Sequence, residues 1–144
     1  MSNLLTTEQL QDYHKHLESV VRDKISNAKL DYDFPTAVLV VPLFTINAWA
    51  VTLEDIGVVA ISQGMLREDS YEEVVAAICH ELGHLAHYTM SANIDNYIAM
   101  PSIAREYLAD DLAINLFNAD TTAMINYHLK YPGFCCRNSP YIYR

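Results

Sequence analysis

Ile78-Cys79-His80-Glu81-Leu82-Gly83-His84-Leu85-Ala86-His87 is the stretch that decides how this chain reads. His80 and His84 are four residues apart. On an α-helix that spacing sets two side chains about 40° apart around the axis, so both imidazoles can reach one ion. Zinc suits them, because it takes neutral imidazole nitrogens and tolerates an open fourth position. Glu81 stands about 100° round from His80, off the ligand line but within reach of a water whose proton it can take. The surrounding residues argue for the helix. Ser70-Tyr71-Glu72-Glu73 is a capping box with acids in the first turn, where the helix dipole favours them, and the helix runs to about Tyr88 or Met90.

Two histidines and a base need a third ligand. A metzincin would continue with glycine and then histidine, but this chain has His87 and Met90 at those offsets. Downstream, Arg105-Glu106-Tyr107-Leu108-Ala109-Asp110 lies on another predicted helix, opened by Pro101 in its first turn and continuing to about Asn118. Glu106 and Asp110 are four apart and share a face. Glu106 can complete a two-histidine, one-carboxylate site. Asp110 is placed to accept from the free ring nitrogen of a ligand histidine, which fixes its tautomer.

Working outward, Thr6 and Gln9 form a capping box for an N-terminal helix over about 7–29, with Leu10, Tyr13, Leu17, Val20, Val21, Ile25 and Ala28 at helical spacing. Asp31 to Pro35 stops it. Ala37–Val41, Ile46–Val51 and Gly57–Ser62 read as strands, the last two joined by a polar turn at Glu54 to Gly57. A last helix starts at Asp120 or Thr121 and ends before Pro132. The order helix, three strands, three helices predicts one α+β domain over 1–144: a sheet at about 37–62, ligand helices at about 71–118, and a C-terminal helix and tail over 120–144.

Composition narrows the function classes. The chain has 144 residues, 51% hydrophobic and 19% charged, which excludes disorder as the default state. Eighteen acidic against nine basic side chains give a formal charge of −9. That argues against nucleic acid and against an anionic membrane surface as partners, and leaves peptides, proteins and small molecules. No apolar run is long enough to span a membrane, and the N-terminus lacks the basic and apolar regions of a signal peptide. With three cysteines, Cys79 alone and Cys135 and Cys136 adjacent, the expected location is the cytoplasm.

Four runs in order carry a resemblance: Asn47-Ala48-Trp49-Ala50, Gly57 to Leu66, Glu72 to His87 and Arg105 to Asp110. Together they resemble the HtpX and CAAX-prenyl-protease class of gluzincin zinc metallopeptidases, and in size the small soluble minigluzincins. The resemblance spans about Ile46 to Phe117, half the chain. It implies a zincin domain, its three-stranded sheet packed on the His80–His84 helix and a second helix bearing Glu106 and Asp110. It implies zinc on His80, His84 and Glu106, Glu81 as general base and acid, and Asp110 supporting His80. Asn47, Ala48 and Trp49 would lie on an edge strand that pairs with an extended substrate. The membrane helices of the larger relatives have no counterpart in this sequence, so their prenylated or membrane substrates do not carry over.

A second transition-state donor is not given by any motif. His128 and Tyr107 are candidates, with Tyr127 and Arg137 beside them. His87, His14 and His16 read as helix-face residues, and Cys79 as a small core residue. The apolar, aromatic tail from Tyr131 to Arg144 either packs on the domain or covers the cleft, where Cys135 or Cys136 could offer a thiolate to zinc. The expectation is a zinc-dependent endopeptidase acting on peptide or protein substrates, as a monomer or weak homodimer, with activity falling below about pH 6 as the histidines protonate. The alternatives are a catalytically silent or latent zinc-binding module and a zinc hydrolase of a non-peptide amide.

Overall fold

In the computed structural model the Thr6 capping box closes in both directions, Gln9 N donating to Thr6 Oγ1 at 3.1 Å and Thr6 N to Gln9 Oε1 at 2.8 Å. The structure describes residues 5–28, 36–53, 56–90 and 101–130. The stop at Asp31–Pro35, the turn residues Glu54 and Asp55, and the tail with Cys135, Cys136 and Arg137 lie outside those residues. The elements are α1 (Thr7–Asn27), β1 (Thr36–Val41), β2 (Ala48–Leu53), β3 (Ile56–Ser62), α2 (Gln63–Glu68), α3 (Tyr71–Met90), α4 (Ser102–Asn115) and α5 (Thr121–Lys130).

The fold is α+β, as the order of periodic segments predicts. The sheet runs β1-β3-β2, with β1 parallel to β3 and β2 antiparallel to it. Alternation puts Val38, Val59 and Ile61 on the covered face, all buried, and leaves Leu39 and Val51 exposed on the other. The covered face meets α1 through Leu17 and Val21 and α3 through Val74, Ile78, Leu82 and Leu85. Val74, Ile78 and Leu82 recur every four residues at 0% exposure, each contributing roughly 1.5–3 kcal/mol by burial. Gly57 lets the Leu85 side chain approach β3, since a Cβ there would stand 3.0 Å from it. The Glu106-bearing α4 packs chiefly on α3 rather than on the sheet.

The two sheet edges are treated differently. His14, expected on a solvated face, reaches from α1 and donates through Nε2 to the Val38 carbonyl at 2.8 Å, which takes up one carbonyl of β1. The β2 edge borders a cleft against α3.

Three local readings change. The helix α2 was not expected, being too short for an apolar period. Ser62 Oγ caps it by accepting from Met65 N at 3.2 Å, and the same oxygen accepts from Asn47 N at 2.9 Å. Gly64 is required there, because a Cβ would fall 2.2 Å from the Phe44 carbonyl oxygen. The helix α4 ends at Asn115, short of Asn118, whose φ of 54° turns the chain out. Ser70 Oγ does accept from Glu73 N at 3.2 Å, while the Glu73 carboxylate and Asp69 take Lys130 of α5 at 3.1 and 2.9 Å. This ties the end of α5 to the start of α3.

Candidate metal centre

Helix α3 brings His80 and His84 to one face, as their spacing dictates, with ring centroids 4.7 Å apart and edge-to-face. Helix α4 crosses α3 at Gly83, where an added Cβ would meet the Ala109 carbonyl oxygen at 2.3 Å. The missing side chain lets the two backbones touch, so Glu106 and Asp110 arrive beside the histidines. The Nε2 atoms of His80 and His84 lie 2.8 and 2.7 Å from the same Glu106 Oε2. Asp110, 0% exposed, accepts from His80 Nδ1 at 2.7 Å.

The donor set can be tested for metal on this geometry. Both ring nitrogens of His80 face carboxylate oxygens, yet a neutral imidazole carries only one N–H. With the Nδ1 proton donated to Asp110, the Nε2 of a neutral His80 turns a lone pair on Glu106 Oε2. The arrangement therefore calls for a proton or a cation at the Nε2 side. Two imidazole nitrogens and a carboxylate oxygen within 4.8 Å of one another fit a divalent ion of zinc's preference.

Without an ion, the charges fall as follows. Burial opposes protonation of His80, but hydrogen bonds to Asp110 and Glu106 outweigh it and hold the imidazolium well above its ordinary range. Burial would raise Glu106, yet the bonds from His80 and His84 bring it down to about 2. Asp110 is likewise held well below the usual carboxylate range, burial being overcome by the bonds from His128 and His80. Glu81 moves the other way. It is buried, and desolvation raises its carboxyl against the pull of His80 and His84. A carboxyl shifted toward neutrality beside a metal-type donor set has the profile of a proton shuttle.

A cleft of about 500 Å³ opens over these groups. One wall is Asn47 to Thr52, and the other is the α3 stripe Ala77, His80, Glu81, His84, Leu85 and Tyr88, with Arg105, Glu106 and Tyr127 completing it. Asn47, Ala48 and Trp49 therefore face the metal-type donors across this space. Ser62 N donates to the Asn47 carbonyl at 2.9 Å, which fixes the ladder phase. By alternation, Trp49 and Val51 turn their backbone groups toward β3, and Ala48, Ala50 and Thr52 turn theirs outward. The outward Ala48 N–H is held at 2.9 Å by Asn47 Oδ1.

The donor candidates are placed apart. His128 is 1% exposed and donates through Nε2 to Asp110 Oδ1 at 3.1 Å, behind the donor set rather than facing the cleft. Tyr107 is not among the cleft-lining residues, whereas its neighbour Arg105 is. Tyr127 lines the cleft, and so does Tyr88, which sequence reading passed over although it lies one helical turn past His84. Cys79 is a core residue as expected, its thiol pushed up to about 11 by burial. His87 is buried and lowered, first by desolvation and then by His84 and Arg105.

The model of peptidase family M48 matches residues 11–103, which hold α1 from Gln11 onward, the sheet and the His80–His84 helix. The match stops before Glu106 and Asp110, so their part rests on the geometry above. The protease HtpX of Pseudomonas fluorescens (strain SBW25) is 44% identical over 50 residues, 34% of this chain and 17% of that protein. The aligned part is thus well under a fifth of that relative's length. No solved structure matches the chain, and no helix among the described residues is long and apolar enough to cross a membrane.

Proposed function

The chain belongs to peptidase family M48, and from that premise we propose that it is a zinc-dependent endopeptidase cutting extended segments of peptide or protein substrates. The observation that carries the reading is the convergence of His80 Nε2 and His84 Nε2 on Glu106 Oε2, on the floor of a cleft walled by an outward-facing edge strand. A non-peptide amide hydrolase would have no use for that strand.

His80, His84 and Glu106 would hold the ion. Zinc bound there supplies a Lewis acid that polarises a carbonyl and makes water easier to deprotonate. The chain's own residues do the rest. A substrate strand pairs with the outward groups of Ala50 and Thr52 and the Ala48 carbonyl, which lays its backbone across the cleft. Asn47 holds the Ala48 N–H and so limits pairing at that end. Trp49 contributes packing to the wall rather than main-chain bonds. Glu81 takes the proton of the attacking water and passes it to the leaving amine, a task matched to its raised pKa. Asp110 fixes the His80 tautomer so that Nε2 presents a lone pair. Tyr127, Tyr88 and Arg105 line the cleft and are the candidates to donate to a developing oxyanion.

The test is cleavage of an unfolded protein mixture read by mass spectrometry, with Glu81→Gln as control. Cleavage by the unaltered chain alone supports the reading. Zinc binding with no cleavage by either would sink the peptidase and leave a metal-binding module.

A further inference from the structure

His128 packs with Asp110 at the back of the site, in a position the reaction does not use. Its Nε2 and His80 Nδ1 bond the same oxygen, Asp110 Oδ1, at 3.1 and 2.7 Å. The three residues are 1%, 4% and 0% exposed, so no bulk solvent competes for that oxygen. The His80 and His128 rings are 6.0 Å apart and edge-to-face, which lets both N–H bonds aim at one point. His128 arrives from α5, anchored at its far end by Lys130 on Asp69 and Glu73.

We infer that His128 is a positioning residue for the metal site, acting on His80 through Asp110. The inference rests on the zinc reading above. A buried carboxylate sets the orientation of the histidine it holds, so what restrains its side-chain torsions restrains that ring as well. A donor from another helix on the same oxygen adds such a restraint. It also shares the negative charge, so Asp110 orients His80 without stripping the Nδ1 proton. A carboxylate oxygen only accepts, so His128 must carry its proton on Nε2. His128 Nδ1 is buried with no hydrogen-bond partner among the described residues, which leaves Asp110 as the ring's polar contact there.

The experiment measures zinc affinity by chelator competition in Glu81→Gln, so that turnover plays no part. His128→Phe is expected to weaken zinc about tenfold, the lower end of the range for groups supporting a ligand. His128→Gln, which keeps an N–H donor, should weaken it less. In an Asp110→Asn background, His128→Phe should cost nothing further. Unchanged affinity in His128→Phe overturns the inference, as does an equal loss with and without Asp110, which would mean packing alone. Nitrogen NMR of the zinc-loaded, otherwise unaltered protein tests the same point without a core substitution. A His128 ring protonated on Nδ1 alone overturns it, and an Nε2–H tautomer supports it. Two zinc ions per chain would also overturn it, by placing an ion among His80, Asp110 and His128. No zinc bound at all would bring down the metal reading first, and this inference with it.

Discussion

Gly83 and Ala109 stand so close that a Cβ on Gly83 would lie 2.3 Å from the Ala109 carbonyl oxygen. This contact sets the spacing between the helix that carries His80, Glu81 and His84 and the one that carries Glu106 and Asp110. Gly83→Ala is therefore expected to push α4 away, although alanine favours a helix by about 1 kcal/mol over glycine. Overpacking costs about 1–3 kcal/mol, so the metal-free protein should unfold at a lower temperature and zinc should bind more weakly. A gain in melting temperature with unchanged zinc affinity would contradict the close contact.

Glu81→Gln removes the proposed proton shuttle and leaves His80, His84 and Glu106 in place. It should bind zinc at the same stoichiometry as the unaltered chain and lose at least about 10²-fold in peptide cleavage. Retained cleavage would move the base elsewhere.

Zinc uptake should release protons. In the metal-free protein His80 is held well above its ordinary pKa, so at pH 7 it carries a proton that the ion must displace. Affinity should rise with pH through neutrality, and activity should fall below about pH 6. Calorimetry at pH 7 in buffers of different ionisation enthalpy measures the release directly; heats independent of the buffer would rule it out.

The metal-free protein should lose stability on both sides of a mildly acidic window. Glu106 is lowered to about 2, so the stability it contributes is present above the unfolded value near 4.3 and is lost as pH falls toward 2. His80 is raised, so its contribution is complete below about 6.5 and is lost as pH climbs through its folded value. Urea midpoints should peak near pH 5.5 and drop at pH 3 and pH 9. Glu106→Gln should flatten the acid limb, and an unchanged limb would contradict the assignment.

The ladder phase distinguishes neighbouring residues of β2. Ala50 turns its N–H toward the cleft and Val51 turns its own toward β3. Ala50→Pro should raise KM for peptides about tenfold with a modest loss of stability, whereas Val51→Pro should destabilise the sheet by more. Equal thermal losses from the two would place the substrate strand wrongly.

Much of this was local and therefore legible. The capping box at Thr6, the Ser70 cap on Glu73 N, the four-residue spacing of His80 and His84 and the same spacing of Glu106 and Asp110 are local features of one helix each. A helix fixes side-chain direction from sequence separation alone. The α+β class followed from the order of such segments. The short helix α2 escaped because six residues hold too few turns to show a period, and His14 was misplaced because its partner, the Val38 carbonyl, lies on another element.

The sequence by itself determined which residues ride together on a helix face, hence a histidine pair, a glutamate beside it and an acidic pair waiting for one another. Only the tertiary structure decided that they meet: His80 with Glu106 and Asp110, Gly83 with Ala109, Gly57 with Leu85, Asp110 with His128. The same holds for the outward phase of Ala48, Ala50 and Thr52, and for the wall formed by Tyr88, Arg105 and Tyr127. Helical periodicity is set by the backbone within a few residues. Contacts between elements depend on how whole faces pack, and no spacing along the chain encodes which carbonyl a missing Cβ will touch.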